Sequence, residues 1–142
     1  MLLSDHSQSA RERIVKQRLP DLDLGSGSLH PHYQGLSILN LPSSICAWLG
    51  APPLPHPALA LPEVSDLAAG VDQVIVLLID ALSLHRFQAW FASRPGADAS
   101  RLKGGWLSTI TSVVPSTTSA ALTTLWTGRS PVEHGILVMN CS

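Results

Sequence analysis

Two short stretches of this chain put reactive side chains where an α/β protein collects its chemistry. The first is Asp80, which directly follows the apolar run Val74 to Ile79, VIVLLI. A carboxylate at the end of a buried strand needs a partner, because an unpaired buried charge is costly. A metal ion or a basic side chain would supply one. The second is Pro115-Ser116-Thr117-Thr118, which joins a more polar stretch to an apolar helical pattern. Hydroxyls at a helix N-terminus lie among unpaired N–H donors at the positive end of the dipole, where phosphate oxygens bind well. Taken singly, each has a plain alternative. Asp80 can cap the helix that follows it, and Ser and Thr cap helices in proteins of every kind.

The surrounding elements must place these groups. VIVLLI is continuous, apolar and rich in β-branched residues, which predicts a central parallel strand buried on both faces. Ser83 to Ala92 predicts a helix with Leu84, Phe87 and Phe91 on one side. Trp106 to Val114 predicts a second extended segment, broken by Pro115. Thr118 to Trp126 predicts a helix closed at Thr127-Gly128, glycine suiting the left-handed position after a helix. Strand–helix–strand–helix in this order predicts an α/β fold with a parallel sheet, right-handed crossovers and functional groups at the strands' carboxyl ends.

Upstream, residues 4 to 18 predict a polar helix. Its cluster Arg11, Arg13, Lys16 and Arg18 reads as a solvated face. Pro20 and Gly25-Ser26-Gly27-Ser28 end it in a linker, since no strand precedes the glycines as a phosphate loop would require. Ser37 to Leu41 predicts a short extended piece. Pro42 opens a short helix, Ser43 to Leu49, stopped by Gly50. Four prolines between 51 and 57 forbid regular structure, and a short helix is expected around Glu63 to Ala69. SRPGADAS, 93–100, predicts a loop. This divides the chain into an N-terminal helix and linker (1–30), a substructure with a proline-rich connection (31–70) and an α/β part (71–142).

The longer pattern, VIVLLID followed by PSTTSAALTTLWTGRSPVEHGI, resembles the type I phosphodiesterase/nucleotide pyrophosphatase branch of the alkaline-phosphatase superfamily. YQGLSILNLPSSICAWLG also resembles bacterial members of that superfamily, so the likeness runs from about Tyr33 to Leu137. It implies an alkaline-phosphatase-like fold and a metal-dependent phosphoric ester hydrolase. It also implies two divalent ions, usually zinc, and a small phosphate-ester substrate. Position by position, Asp80 corresponds to the first metal-binding aspartate. Thr118 corresponds to the threonine that attacks phosphorus and touches a metal, forming a phospho-threonine intermediate. Ser116 and Thr117 fall at variable or supporting positions, and His134 at a motif histidine that is not normally a metal ligand; it reads as structural, holding the loop after the threonine helix. Two positions depart from the pattern. Ala81 stands where Asp-Gly is common, and Met139 stands where an asparagine is expected, with Asn140 one residue out of register. The branch takes its remaining metal ligands from later in a longer domain. The chain is therefore expected to be an N-terminal fragment, inactive alone.

Composition bounds the alternatives. The chain has 142 residues, 45% hydrophobic and 13% charged, with a formal net charge of -1, which favours a folded chain. No basic patch points to nucleic acid or a membrane surface. The N-terminus lacks a signal-peptide pattern and no run is long enough to span a bilayer, so a cytoplasmic protein is the expectation. Cys46 and Cys141 have no zinc spacing and read as free thiols, with a single disulfide between them as the alternative. His30 and His32, in HPH, lack a third ligand and read as a surface loop. His85 follows Asp80 closely enough for a substrate contact. A catalytically silent α/β fragment is the competing reading. A serine hydrolase is weaker, because there is no GxSxG elbow.

Overall fold

Polar residues dominate helix α1 (Ser7–Lys16), yet Ala10 and Ile14, one turn apart, are buried. That narrow stripe docks the helix, while Arg11, Arg13 and Lys16 stay exposed as the sequence predicts. Asp5 Oδ1 accepts the Ser7 N–H at 2.8 Å and closes the helix's first turn. The computed structural model describes residues 4–68, 70–93 and 105–138. Among them the protein is a small α/β unit with six helices and a two-stranded parallel sheet.

The sheet pairs β1 (Ser4–Asp5) with β2 (Trp106–Leu107), Ser4 opposite Trp106 and Asp5 opposite Leu107. An isolated parallel bridge, Ser37 to Thr111, continues the contact toward the site. Two apolar clusters lie beside these strands. Ala10, Ile14, Leu36 and Leu61 form one, with Trp106 and Ile110 against it. Leu39, Val113 and Ala120 form the other, with Tyr33 and Ile38 against it. The second cluster anchors the first turn of α5 (Thr118–Thr127) through Ala120.

Between the clusters sits Asn40, wholly buried. Its Oδ1 accepts from the Gly35 and Ser37 amides, and its Nδ2 donates to the Tyr33 and Pro57 carbonyls, at 2.8–3.2 Å. All four hydrogen-bonding positions of the amide are filled, so burial costs it little. The single 3-10 turn Ile38–Asn40 replaces the expected extended piece at 37–41, because Ser37 Oγ accepts the Leu39 N–H and caps the turn. Helix α2 (Leu41–Trp48) follows with Pro42 in its first turn, as expected. The proline-rich connection 51–57 is irregular, and α3 is Pro62–Ala68.

The largest difference from expectation is VIVLLI. Residues 74–79 pair with no strand among the described residues, and Ile75 is 92% and Leu77 83% exposed. A parallel strand buried on both faces needs neighbours along both edges and cover on both sides. The described residues supply neither, and the sheet's first strand is instead the polar Ser4–Asp5 pair. Helix α4 (Leu84–Ala92) forms as predicted, with Phe87 and Phe91 stacked at 5.9 Å. Residues 94–100 of the expected loop, and Met139, Asn140 and Cys141, lie outside the described residues. Cys46 is a half-buried free thiol. No helix among the described residues is long and apolar enough to cross a membrane.

Candidate active site

The turn that carries the hydroxyls is held from below. Val113 is buried in the second cluster, and the Val114–Pro115 peptide is cis. Tyr33 Oη accepts the Val114 N–H at 3.1 Å. Burial raises the Tyr33 pKa, partly offset by that bond, so the phenol is a neutral tether. On this base the three hydroxyls part company. Thr117 is the N-cap of α5: its Oγ1 accepts the Ala120 N–H at 3.3 Å and donates to the Leu137 carbonyl at 2.6 Å. Its single proton is thereby committed. Ser116 and Thr118 are exposed, and their hydroxyls make no hydrogen bond among the described residues. The capping alternative thus falls to Thr117, one residue before the candidate nucleophile. Gly128 closes the helix at φ 62, in the left-handed region the Thr-Gly pair predicts.

Asp80 repeats the pattern. It is exposed, and among the described residues its Oδ1 accepts only the neighbouring Ala81 N–H, at 2.8 Å. Helix α4 is capped by Ser83, whose Oγ accepts the Arg86 N–H at 3.3 Å. Asp80 is therefore free of the capping duty that was its plain alternative. Ala81 stands at φ 59, a conformation that favours glycine. Replacing it should help: Ala81→Gly is expected to raise stability by roughly 1 kcal/mol, read as a higher urea midpoint. A lower midpoint would contradict the backbone assignment.

After α5 the chain folds back through α6 (Pro131–His134). Ser130 and Glu133 form a capping box. Glu133 Oε2 accepts from the Ser130 amide and hydroxyl, both at 2.6 Å, and meets His56 Nε2 at 2.7 Å. The proline-rich connection is thereby tied to the corner that follows the site. Ser130's two bonds, then His56, hold the Glu133 carboxyl down from 4.5 to about 2. A depressed carboxyl stabilises the fold fully above about 4.5 and loses that contribution as pH falls toward 2. The group is solvent-exposed, so screening keeps the energy small. A carbon-13 titration of Glu133 should show a midpoint near 2, moving up in Ser130→Ala. A midpoint near 4.5 in the unmodified chain would contradict the clamp.

His134 points inward from this corner, its Nε2 3.1 Å from Thr124 Oγ1 and its Nδ1 3.1 Å from the Ile136 N–H. It holds the loop after the threonine helix, as expected. His85 lines a cleft with Asp5, Gln8 and Arg11 of the N-terminal segment rather than with Thr118. His30 is buried, which corrects the surface-loop expectation: its Nδ1 accepts the Leu19 N–H at 3.2 Å and so closes the glycine-containing loop. His32 is half-buried.

No hydrogen bond or ion pair among the described residues joins Asp80 to Thr118. A catalytic zinc site takes three protein donors and leaves a position open. Among the described residues no group of three His, Cys, Asp or Glu comes together, and Asp80 and Thr118 offer one carboxylate and one hydroxyl. The described residues by themselves do not fit a complete metal site.

A family model for type I phosphodiesterase / nucleotide pyrophosphatase matches residues 74–140. No curated protein and no solved structure matches the chain. The matched span contains Asp80, the Ser116–Thr118 turn, α5 and the His134-Gly135-Ile136 return, so over this segment the chain is similar to the type I phosphodiesterase/nucleotide pyrophosphatase family.

Proposed function

We propose that this chain carries the nucleophile half of a metal-dependent phosphoric ester hydrolase with an alkaline-phosphatase-like fold. Thr118 is the group that attacks phosphorus, and Asp80 is a metal-binding carboxylate. The observation that carries the reading is the division of labour at α5. Thr117 caps the helix, and Thr118 stands next to it exposed, its hydroxyl without a hydrogen bond among the described residues. The Ala120 N–H is taken by Thr117. The amides of Thr118 and Ser119 remain in a first turn that has no intrahelical acceptors. Such donors suit the equatorial oxygens of a phosphoryl group.

The substrate class is a small phosphate ester. The pair of divalent ions that the resemblance implies, zinc by that likeness, needs donors beyond Asp80 and Thr118. That shortfall favours a second reading, an α/β segment with no catalysis of its own. The two readings separate in a chimera. Residues 113–138 of this chain replace the matching segment of an active type I phosphodiesterase, and hydrolysis of bis(p-nitrophenyl) phosphate is measured with and without Thr118→Ala. Activity that depends on Thr118 supports the hydrolase reading, and a chimera that folds but is inert supports the silent one.

A further inference from the structure

We infer that His134 is a positioning residue for Thr118, acting through a continuous strap along α5 made of Thr124, the His134 ring, Ile136, Leu137 and Thr117. This rests on the nucleophile reading above and deepens it.

The strap can be followed atom by atom. The Ile136 N–H donates to His134 Nδ1 at 3.1 Å. In a neutral ring that leaves the proton on Nε2, which therefore donates to Thr124 Oγ1 at 3.1 Å. Thr124 is wholly buried in the middle of α5, so the ring is anchored on a rigid surface. From Ile136 the backbone passes directly to Leu137, whose carbonyl accepts the Thr117 hydroxyl proton at 2.6 Å. Thr117 Oγ1 can then offer only lone pairs to the helix, and one of them takes the Ala120 N–H at 3.3 Å. The return loop thus grips α5 at its middle and at its cap.

The consequence falls on the adjacent residue. With Thr117 committed as donor and acceptor, the backbone entering α5 is fixed, and Thr118 leaves it as the helix's first residue, exposed to solvent. Loss of the His134–Thr124 bond frees Ile136 and with it the Leu137 carbonyl. Thr117 then loses its fixed acceptor, and Thr118 loses its fixed orientation. A catalytic group misplaced by a small distance is a poor one.

The test uses the full chain by solution NMR. Long-range proton–nitrogen correlations of the neutral His134 ring should show the Nε2–H tautomer. Three-bond couplings at Thr118 should report one side-chain rotamer. Thr124→Val, close in shape but without the acceptor, should speed amide exchange at Ala120 by about tenfold, the order expected for losing one buried hydrogen bond. It should also average the Thr118 rotamers. Thr124→Ser, which keeps the hydroxyl, should restore both. An Nδ1–H tautomer or a rotationally averaged Thr118 in the unmodified chain overturns the proposal, and both are read without any variant. So does a Thr124→Val chain in which the Ala120 exchange and Thr118 couplings stay as they were. Thr118→Ala should leave the His134 tautomer and Ala120 exchange unchanged. The strap can therefore fail while the nucleophile assignment stands, and the reverse.

Discussion

Thr118→Ala is expected to lower kcat in the chimera by about a thousandfold or more, since loss of a hydroxyl nucleophile removes the covalent route altogether. Ser116→Ala is expected to change it little. Thr117→Ala should fall between, because it removes a cap worth about 1 kcal/mol and the Leu137 contact without removing the reacting oxygen. The ranking follows from the hydrogen bonds. Thr117 Oγ1 has its proton on Leu137 and its lone pair on Ala120. Using it as a nucleophile would break the cap of the helix that presents it. Ser116 and Thr118 are both exposed, but Thr118 lies inside the first turn, next to the open amides. Thr118→Ser should retain much of the activity, because a primary hydroxyl occupies the same position. Equal losses in Ser116→Ala and Thr118→Ala would contradict the ranking.

The second large effect concerns residues 74–79. The isolated chain is expected to self-associate with rising concentration in sedimentation velocity, and Ile75→Lys with Leu77→Lys to suppress this. The two side chains are the most exposed of the run, at 92% and 83%. Their two-residue spacing places them on one side of an extended segment. Burying an aliphatic side chain of this size is worth about 1.5–3 kcal/mol. A contiguous apolar run with open backbone groups is a strong template for intermolecular pairing. Asp72 and Asp80 bracket the run, but no charge interrupts it. Lysine inside the run supplies the missing interruption. A chain that stays monomeric at high concentration, or that associates equally with both lysines in place, would show that 74–79 is not the contact.

What the sequence revealed of this fold depended on how local each signal was. Helices α2, α4 and α5 follow from signals acting within a turn or two, and Pro42 and Gly128 sit where those signals place them. The strand expectation at 74–79 failed because a strand is defined by its neighbours, and no local pattern states whether they are present. β1 was illegible for the opposite reason. Ser4 and Asp5 carry no strand signature, and pair with Trp106 and Leu107 only because α1 docks beside them. At the site, Asp80 and Thr118 were visible as chemistry, but their freedom from capping depends on Ser83 and Thr117, and only hydrogen-bond geometry divides those roles. The tie from Tyr33 to Val114 and that from His56 to Glu133 join distant segments, and no spacing rule reaches them. By contrast the Ser130–Glu133 capping box is made by two residues three apart, a local pattern that the sequence reading passed over.

Trapping the covalent intermediate tests the central claim most directly. The chimera is mixed with bis(p-nitrophenyl) phosphate, quenched in acid during the first turnover and digested, and the peptide spanning residues 116–118 is sequenced by mass spectrometry. A p-nitrophenyl phosphodiester on Thr118, formed with release of one p-nitrophenolate and absent from Thr118→Ala, is the predicted result. An ester on Ser116 or Thr117, or steady hydrolysis by the Thr118→Ala chimera, would contradict it.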